Sequence, residues 1–179
     1  VKVYQVVDEN NIPQYGLKGK HALHTLGNKL YHRSSHVFIE IFGGKFILQK
    51  KAECTENGGL WSSSVSGHGE TGESERETAV RETEEELGLG VYGHELYKAL
   101  TIDPRYHYET NREFVTLFTY LLDPSKEHIT LNRNELDGVA IVPLSDLKKD
   151  IKNNSDRYSP VFVILFDLFL SLKGSIVYD

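Results

Sequence analysis

The chain is 179 residues long, with 39% hydrophobic and 26% charged residues and a formal net charge of −6. That length suits one soluble globular domain with a proper core and falls short of two. The acidic balance excludes a general binder of nucleic-acid polymers or anionic membranes, but not of an anionic diphosphate, because bound cations invert the local sign. Cys54 is the single cysteine, so an internal disulfide is excluded and a reducing cytoplasm fits. No secretory signal is visible, and the longest apolar run, Pro160 to Leu172, is too short for a bilayer and carries Asp167.

In chain order, Lys2 to Asp8 reads as a strand, followed by a polar turn at Glu9-Asn10-Asn11. Gly16 to Tyr31 holds glycines and scattered histidines without a clear period. Strands from His36 to Phe42 and from Lys45 to Lys50 flank Gly43-Gly44, whose positive backbone angles suit a tight hairpin. Glu53 to Gly59 is a loop, and Trp61 and Val65 flank a serine-rich segment. Ser74 to Leu87 reads as a helix: Ala79, Val80, Thr83 and Leu87 recur at spacings of three and four, and Gly88 supplies a left-handed stop. Strands follow around Glu95 to Ile102 and Glu113 to Leu122, the latter closed by Asp123-Pro124-Ser125. Val139 to Val142 reads as a short buried strand, and Ser145 as the cap of a helix running to about Lys152. Pro160 takes the favoured first position of a last helix, residues 160–172, whose Phe162, Phe166 and Phe169 form either core or a subunit interface, compatible with a homodimer. The expected fold class is α/β (α+β), a mixed sheet with helices on its faces.

The chemistry concentrates in GHGETGESERETAVRETEEELGL, Gly67 to Leu89. On its helix, Glu85 lies about 60° to one side of Glu82 and Glu86 about 40° to the other. Helix stability does not ask for three carboxylates on one arc, since like charges four residues apart repel. A solvated acidic face is one reading; the other is a hard divalent cation, magnesium or manganese, that turns the repulsion into attraction. Gly67 lets the backbone approach an ion or phosphate closely. Glu73 is placed either to aim Arg81, and through it the helix carboxylates, or to form an ordinary surface pair with it.

Gly67, Glu73 and Arg81-Glu82-Thr83-Glu84-Glu85-Glu86-Leu87-Gly88-Leu89 together resemble the Nudix box, G-x5-E-x7-R-E-U-x-E-E-x-G-U, with U apolar. All fixed letters match, and Thr83 is the departure, standing where the family has an aliphatic residue. The resemblance implies an αβα sandwich in a single domain over 1–179, with a strand and loop region at 1–35 and the box at 67–89. It implies a pyrophosphohydrolase that cleaves a diphosphate linkage in a small nucleoside diphosphate-X or nucleotide substrate by attack of water. Gly67, Glu82, Glu85, Glu86 and His68 would hold Mg2+ or Mn2+, while Glu82, Glu113, Arg81 and Glu73 would serve catalysis.

The similarity extends past the box. WSSSVSGHGETGE (Trp61 to Glu73), RYSPVF (Arg157 to Phe162) and DPRYHYETNREFVTLF (Asp103 to Phe118) resemble segments of type I isopentenyl-diphosphate isomerases and their hydrolase relatives. The last segment holds the substrate-binding candidates Arg105, Tyr106 and Tyr108; the tyrosines either stack on a substrate base or cover the sheet. Those isomerases move protons at carbon with a cysteine and a glutamate. Glu113 matches the glutamate, but Ser66 stands where the cysteine belongs and Asn111 where an acidic metal ligand belongs. A hydroxyl is a far weaker acid than a thiol, so hydrolysis is expected and an isomerase-like protein is the alternative. His24, His32 and His68 fall where the isomerase's metal histidines do. His68 reads as ligand, phosphate contact or loop hydrogen-bonder, and His24, His32 and His36 as structural.

Overall fold

In the computed structural model, which describes residues 1–19, 30–55, 57–107 and 112–173 (with no side-chain detail at 106 and 107), nine strands share one mixed sheet. They are β1 (Val3–Val7), β2 (Pro13–Lys18), β3 (Tyr31–Ile41), β4 (Lys45–Lys51), β5 (Trp61–Ser62), β6 (Val65–His68), β7 (Tyr97–Ile102), β8 (Glu113–Leu122) and β9 (Leu136–Pro143). Helices α1 (Glu75–Leu87), α2 (Pro104–His107), α3 (Leu144–Asn153) and α4 (Pro160–Lys173) complete the described elements, with two short 3-10 turns.

The organising strand is β3. It runs parallel to β8 over most of its length, from His32↔Glu113 to Ile41↔Leu122. On its other side β3 is shared: its first part pairs antiparallel with β6, and its last part with β4 through the Gly43-Gly44 turn. Both glycines sit at positive φ, 91° and 70°, as that turn requires. The sheet then continues through β4 to β9 on one side and through β8 to β7 on the other.

Strand alternation builds a core on each face. Val37 and Ile39 of β3, Ile47 of β4, and Phe118 and Tyr120 of β8 pack with Ala79 and Leu87 of α1. Their neighbours Phe38, Phe46, Leu48, Val115 and Leu117 pack with Leu147 and Ile151 of α3 and with Phe162, Leu165, Phe166 and Phe169 of α4. The architecture is the expected αβα sandwich. The three phenylalanines of α4 are buried inside the chain, with Phe38 edge-on to Phe169 at 5.4 Å, so they are core and not a subunit face.

Several elements differ from the sequence reading. β2 overlaps the stretch that carried no period, because its side chains are almost all exposed and only its backbone pairs with β1. β3 begins five residues before His36, since His32, Ser34 and Ser35 are buried polar residues that break the apolar pattern. β9 is longer than Val139 to Val142, and those four residues are not buried: the strand pairs with β4, only its first residue Leu136 is in the core, and Ile141 is exposed. Ser145 caps nothing; α3 starts at Leu144 after Pro143, and the Ser145 hydroxyl turns to Asp146.

Candidate active site

The box helix α1 is fixed at both ends. Ser74 is its N-cap and exchanges hydrogen bonds with Glu77 in a capping box; Gly88 ends it at φ 64°, its N–H donating to the Glu84 carbonyl. A buried Thr83, bonded to the Ala79 carbonyl at 2.6 Å, fills the place of an aliphatic residue without exposing its hydroxyl to an unpaired burial. Val80, expected inward, is only partly buried at the rim of that core. With Thr78, Ala79, Thr83 and Leu87 buried on the same helix, Glu82 and Glu86 are carried inward too and are buried.

Arg81 holds the loop before the helix against the carboxylates on it. Its Nε and Nη2 donate to the two oxygens of Glu73 at 2.6 and 3.0 Å, and Nη2 also donates to the His68 carbonyl at 3.0 Å. Nη1 donates to Glu82 at 2.6 Å and to Glu85 at 3.3 Å. Burial works against charge on Glu73, but the fork of Arg81 holds its carboxyl below the ordinary range. Burial also works against charge on the guanidinium, which Glu73 and Glu82 nevertheless hold firmly protonated.

Glu82 behaves differently although it shares Arg81. Burial is the main cause, and repulsion from Glu86 adds to it, so its pKa rises to about 7 against the pull of Arg81. Glu86 is also pushed up by burial, while Lys51 at 2.8 Å and the Ser66 N–H at 2.9 Å oppose the shift. A third carboxylate, Glu135, arrives from the segment before β9, and each of Glu82, Glu86 and Glu135 places an oxygen within 4.8 Å of the others. Three hard oxygen donors gathered in a largely buried space, two of them pushed towards neutrality, fit a divalent cation well: its charge would remove the repulsion that burial amplifies. Gly67 belongs to the same packing, because a Cβ there would overlap the Glu82 carboxyl group. These groups open onto a cleft of about 410 Å³ whose walls include Lys2, Tyr4, Lys51, Ser66, Glu82 and Glu135.

A second cluster follows from the strand pairings. The β3–β8 register sets His32 beside Glu113, and the β3–β6 register sets His68 opposite Ser34. One donor atom each from His32, His68 and Glu113 therefore falls within 4.8 Å of the others, and the His32 and His68 rings stack at 5.3 Å. Burial alone would raise the Glu113 carboxyl, but His68 and His32 hold it well below the usual carboxylate range. His36 is buried and bonded to Ser63 at 2.8 Å. Ser66 accepts a hydrogen bond from the Gln49 amide at 3.2 Å.

The structure thus brings Gly67, Glu73, Arg81, Glu82 and Glu86 together, and gathers His68 and Glu113 in the neighbouring cluster. Glu85 points elsewhere, to Lys2 at 2.6 Å and to Arg81. Arg105 is bound by both oxygens of Asp103 and is not among the cleft-lining residues. Tyr108, the Tyr106 side chain, His24 and Asn111 lie outside the described residues. Glu135, Lys51 and Lys2 escaped the sequence reading. Each stands in a stretch without a motif, and only the fold carries it to the cleft.

A family model described as the NUDIX domain matches residues 30–162. Isopentenyl-diphosphate Delta-isomerase 2 of Photorhabdus laumondii is 30% identical over 166 residues, which cover 90% of this chain and 88% of that protein. An uncharacterized Nudix hydrolase of Clostridium acetobutylicum is 29% identical over 147 residues, 79% of this chain and 70% of its own. Among solved structures, DR0079 from Deinococcus radiodurans superposes with a TM-score of 0.75 over 96% of this chain and 99% of that one, at 18% identity, a likeness of fold. No helix among the described residues is long and apolar enough to cross a membrane. The complete box, its αβα setting and the family match over most of the chain agree, and the chain belongs to the Nudix hydrolase family.

Proposed function

We propose that the chain is a metal-dependent pyrophosphohydrolase that cleaves the diphosphate linkage of a small nucleoside diphosphate-X or nucleotide substrate by attack of water. The observation that carries this reading is the meeting of Glu82, Glu86 and Glu135 within 4.8 Å, with Glu82 and Glu135 in the wall of a cleft large enough for such a molecule and Glu86 buried behind them. These three would hold Mg2+ or Mn2+, with the Gly67 carbonyl beside them. The bound ion would neutralise the diphosphate and lower the pKa of a coordinated water. Arg81 positions the carboxylates by tying Glu82 to Glu73 and to the His68 carbonyl. Glu82 Oε1 is taken by Arg81, so Oε2 would both face the ion and accept a hydrogen bond from the water bound to it. In the metal-free protein burial holds the Glu82 pKa at about 7, and a bound cation would draw it down so that it meets the water as a carboxylate; the histidines hold Glu113 lower still.

The test is a product-release screen over nucleoside diphosphate sugars, dinucleotides and nucleoside triphosphates with magnesium and with manganese. Hydrolysis that stops with a chelator and falls at least a hundredfold in folded Glu86→Gln is expected; full turnover in that variant would remove the helix from the reaction. A second reading, an isopentenyl-diphosphate isomerase-like protein, is favoured by the His32–His68–Glu113 cluster and by the Photorhabdus relative. Against it stands Ser66, whose hydroxyl replaces the thiol. Deuterium uptake from heavy water into isopentenyl diphosphate would move the assignment to this second reading, and hydrolysis without uptake would reject it.

A further inference from the structure

The cleft has an imbalance that the metal reading leaves unexplained. A diphosphate needs cationic partners of its own, yet among the described residues lining the cleft only Lys2 and Lys51 are basic lysine or arginine side chains. Both are engaged with box carboxylates. Lys51 is largely buried, with its ammonium 2.8 Å from Glu86, whose side chain is 1% exposed. Lys2 is the more exposed of the two: its ammonium lies 2.6 Å from Glu85 and 3.5 Å from Glu70, and its side chain is 43% exposed. It stands just before β1, one side-chain alternation from Tyr4, so both project to the cleft side of that strand. β1 itself is anchored on the box loop, with the Gln5 N–H donating to the Gly69 carbonyl and the Thr71 N–H donating to the Val3 carbonyl. The backbone next to Lys2 is therefore fixed, while its ammonium can swing on a long, half-exposed stem.

We propose that Lys2 is a phosphate-recognition residue held in reserve by Glu85. Without a divalent cation it neutralises that carboxylate; with one, it turns to a phosphate oxygen of the substrate. The inference rests on the metal-dependent hydrolase reading and extends it to the residue that couples the two ligands. Glu85 shares Arg81 Nη1 with Glu82, so a cation held by Glu82 and Glu86 would compete with Lys2 for the neighbouring Glu85 carboxylate and loosen the ammonium from its shortest partner. Lys2 then competes with the metal and cooperates with the phosphate. These effects have opposite signs, and a lysine that merely propped up β1 would not produce both.

The experiment uses the full chain, as wild type, Lys2→Met and Lys2→Arg. Mn2+ alone is titrated by the resonance signal of the free ion, and methylenediphosphonate, a diphosphate analogue that resists hydrolysis, is titrated calorimetrically at saturating Mn2+. In Lys2→Met the Mn2+ dissociation constant is expected to fall roughly twofold to fivefold, the scale of a lost exposed ion pair. The methylenediphosphonate constant is expected to rise about tenfold or more, the scale of a lost charge-assisted hydrogen bond. Lys2→Arg keeps wild-type Mn2+ affinity and recovers most of the diphosphonate affinity. Unchanged or weaker Mn2+ binding in Lys2→Met, or unchanged diphosphonate binding, overturns the proposal while leaving the metal site intact. Wild-type Mn2+ binding that is absent, or indifferent to Glu86→Gln, instead overturns the metal reading and Lys2's part with it.

Discussion

Replacing Glu82 by glutamine separates the function of this carboxylate from its cost to the fold. In the metal-free protein burial and the neighbouring Glu86 raise its pKa from 4.5 to about 7, although Arg81 pulls the other way. A raised carboxyl pKa means that the folded state binds the proton more tightly than the unfolded chain. This stabilising contribution is complete below pH 4.5 and is lost as pH climbs through 7. At about 1.4 kcal/mol for each pH unit of that displacement, the ionised group costs the fold roughly 3 kcal/mol above neutrality. The amide of Glu82→Gln would keep the shape and an acceptor for Arg81 without the charge, and Arg81 retains Glu73 and the His68 carbonyl. Urea unfolding in a chelator at pH 5 and pH 8 is the assay. Wild type should lose stability between the two, Glu82→Gln should lose much less and be the more stable protein at pH 8, and its turnover should be at least a hundredfold down. A variant less stable than wild type at pH 8 without metal would refute the reasoning, because it would mean that the pair with Arg81 outweighs desolvation.

Other perturbations test other parts of the structure. Gly67→Ala puts a methyl where the Glu82 carboxyl lies, so a melt should show a loss of about 1–3 kcal/mol and a Mn2+ titration a weaker site. Tyr158→Phe removes the 2.5 Å bond to Asp150 that joins α3 to the segment before α4; denaturation should report about 1 kcal/mol lost, with turnover unchanged. Phe169→Ala empties a fully buried position against Phe38 and Phe46 and should cost about 3–5 kcal/mol by the same measurement.

What the sequence disclosed follows the range of the physics involved. The box helix was legible from Ser74 to Gly88 because caps and helical periodicity are local signals, and the Gly43-Gly44 hairpin because its turn chemistry is local. The Arg81–Glu73 link was readable from the spacing of the motif. The meeting of His32 with Glu113 was not, since it arises from a parallel pairing of strands far apart in the chain. Glu135 lies among polar residues in an irregular segment, where one more glutamate carries no pattern. The arc drawn on α1 placed Glu82, Glu85 and Glu86 as equals. Tertiary packing separated them, burying Glu82 and Glu86 and leaving Glu85 to Lys2. Ser145 failed as a cap because Pro143 already sets the entry to α3.

Anomalous diffraction from crystals soaked in Mn2+ tests the metal assignment most directly, since two acid-bearing clusters compete for the ion. The expected result is a peak in contact with the carboxylates of Glu82, Glu86 and Glu135, with Glu85 drawn away from Lys2. A peak confined to His32, His68 and Glu113, with Glu82 and Glu86 still bound by Arg81 and Lys51, would contradict it.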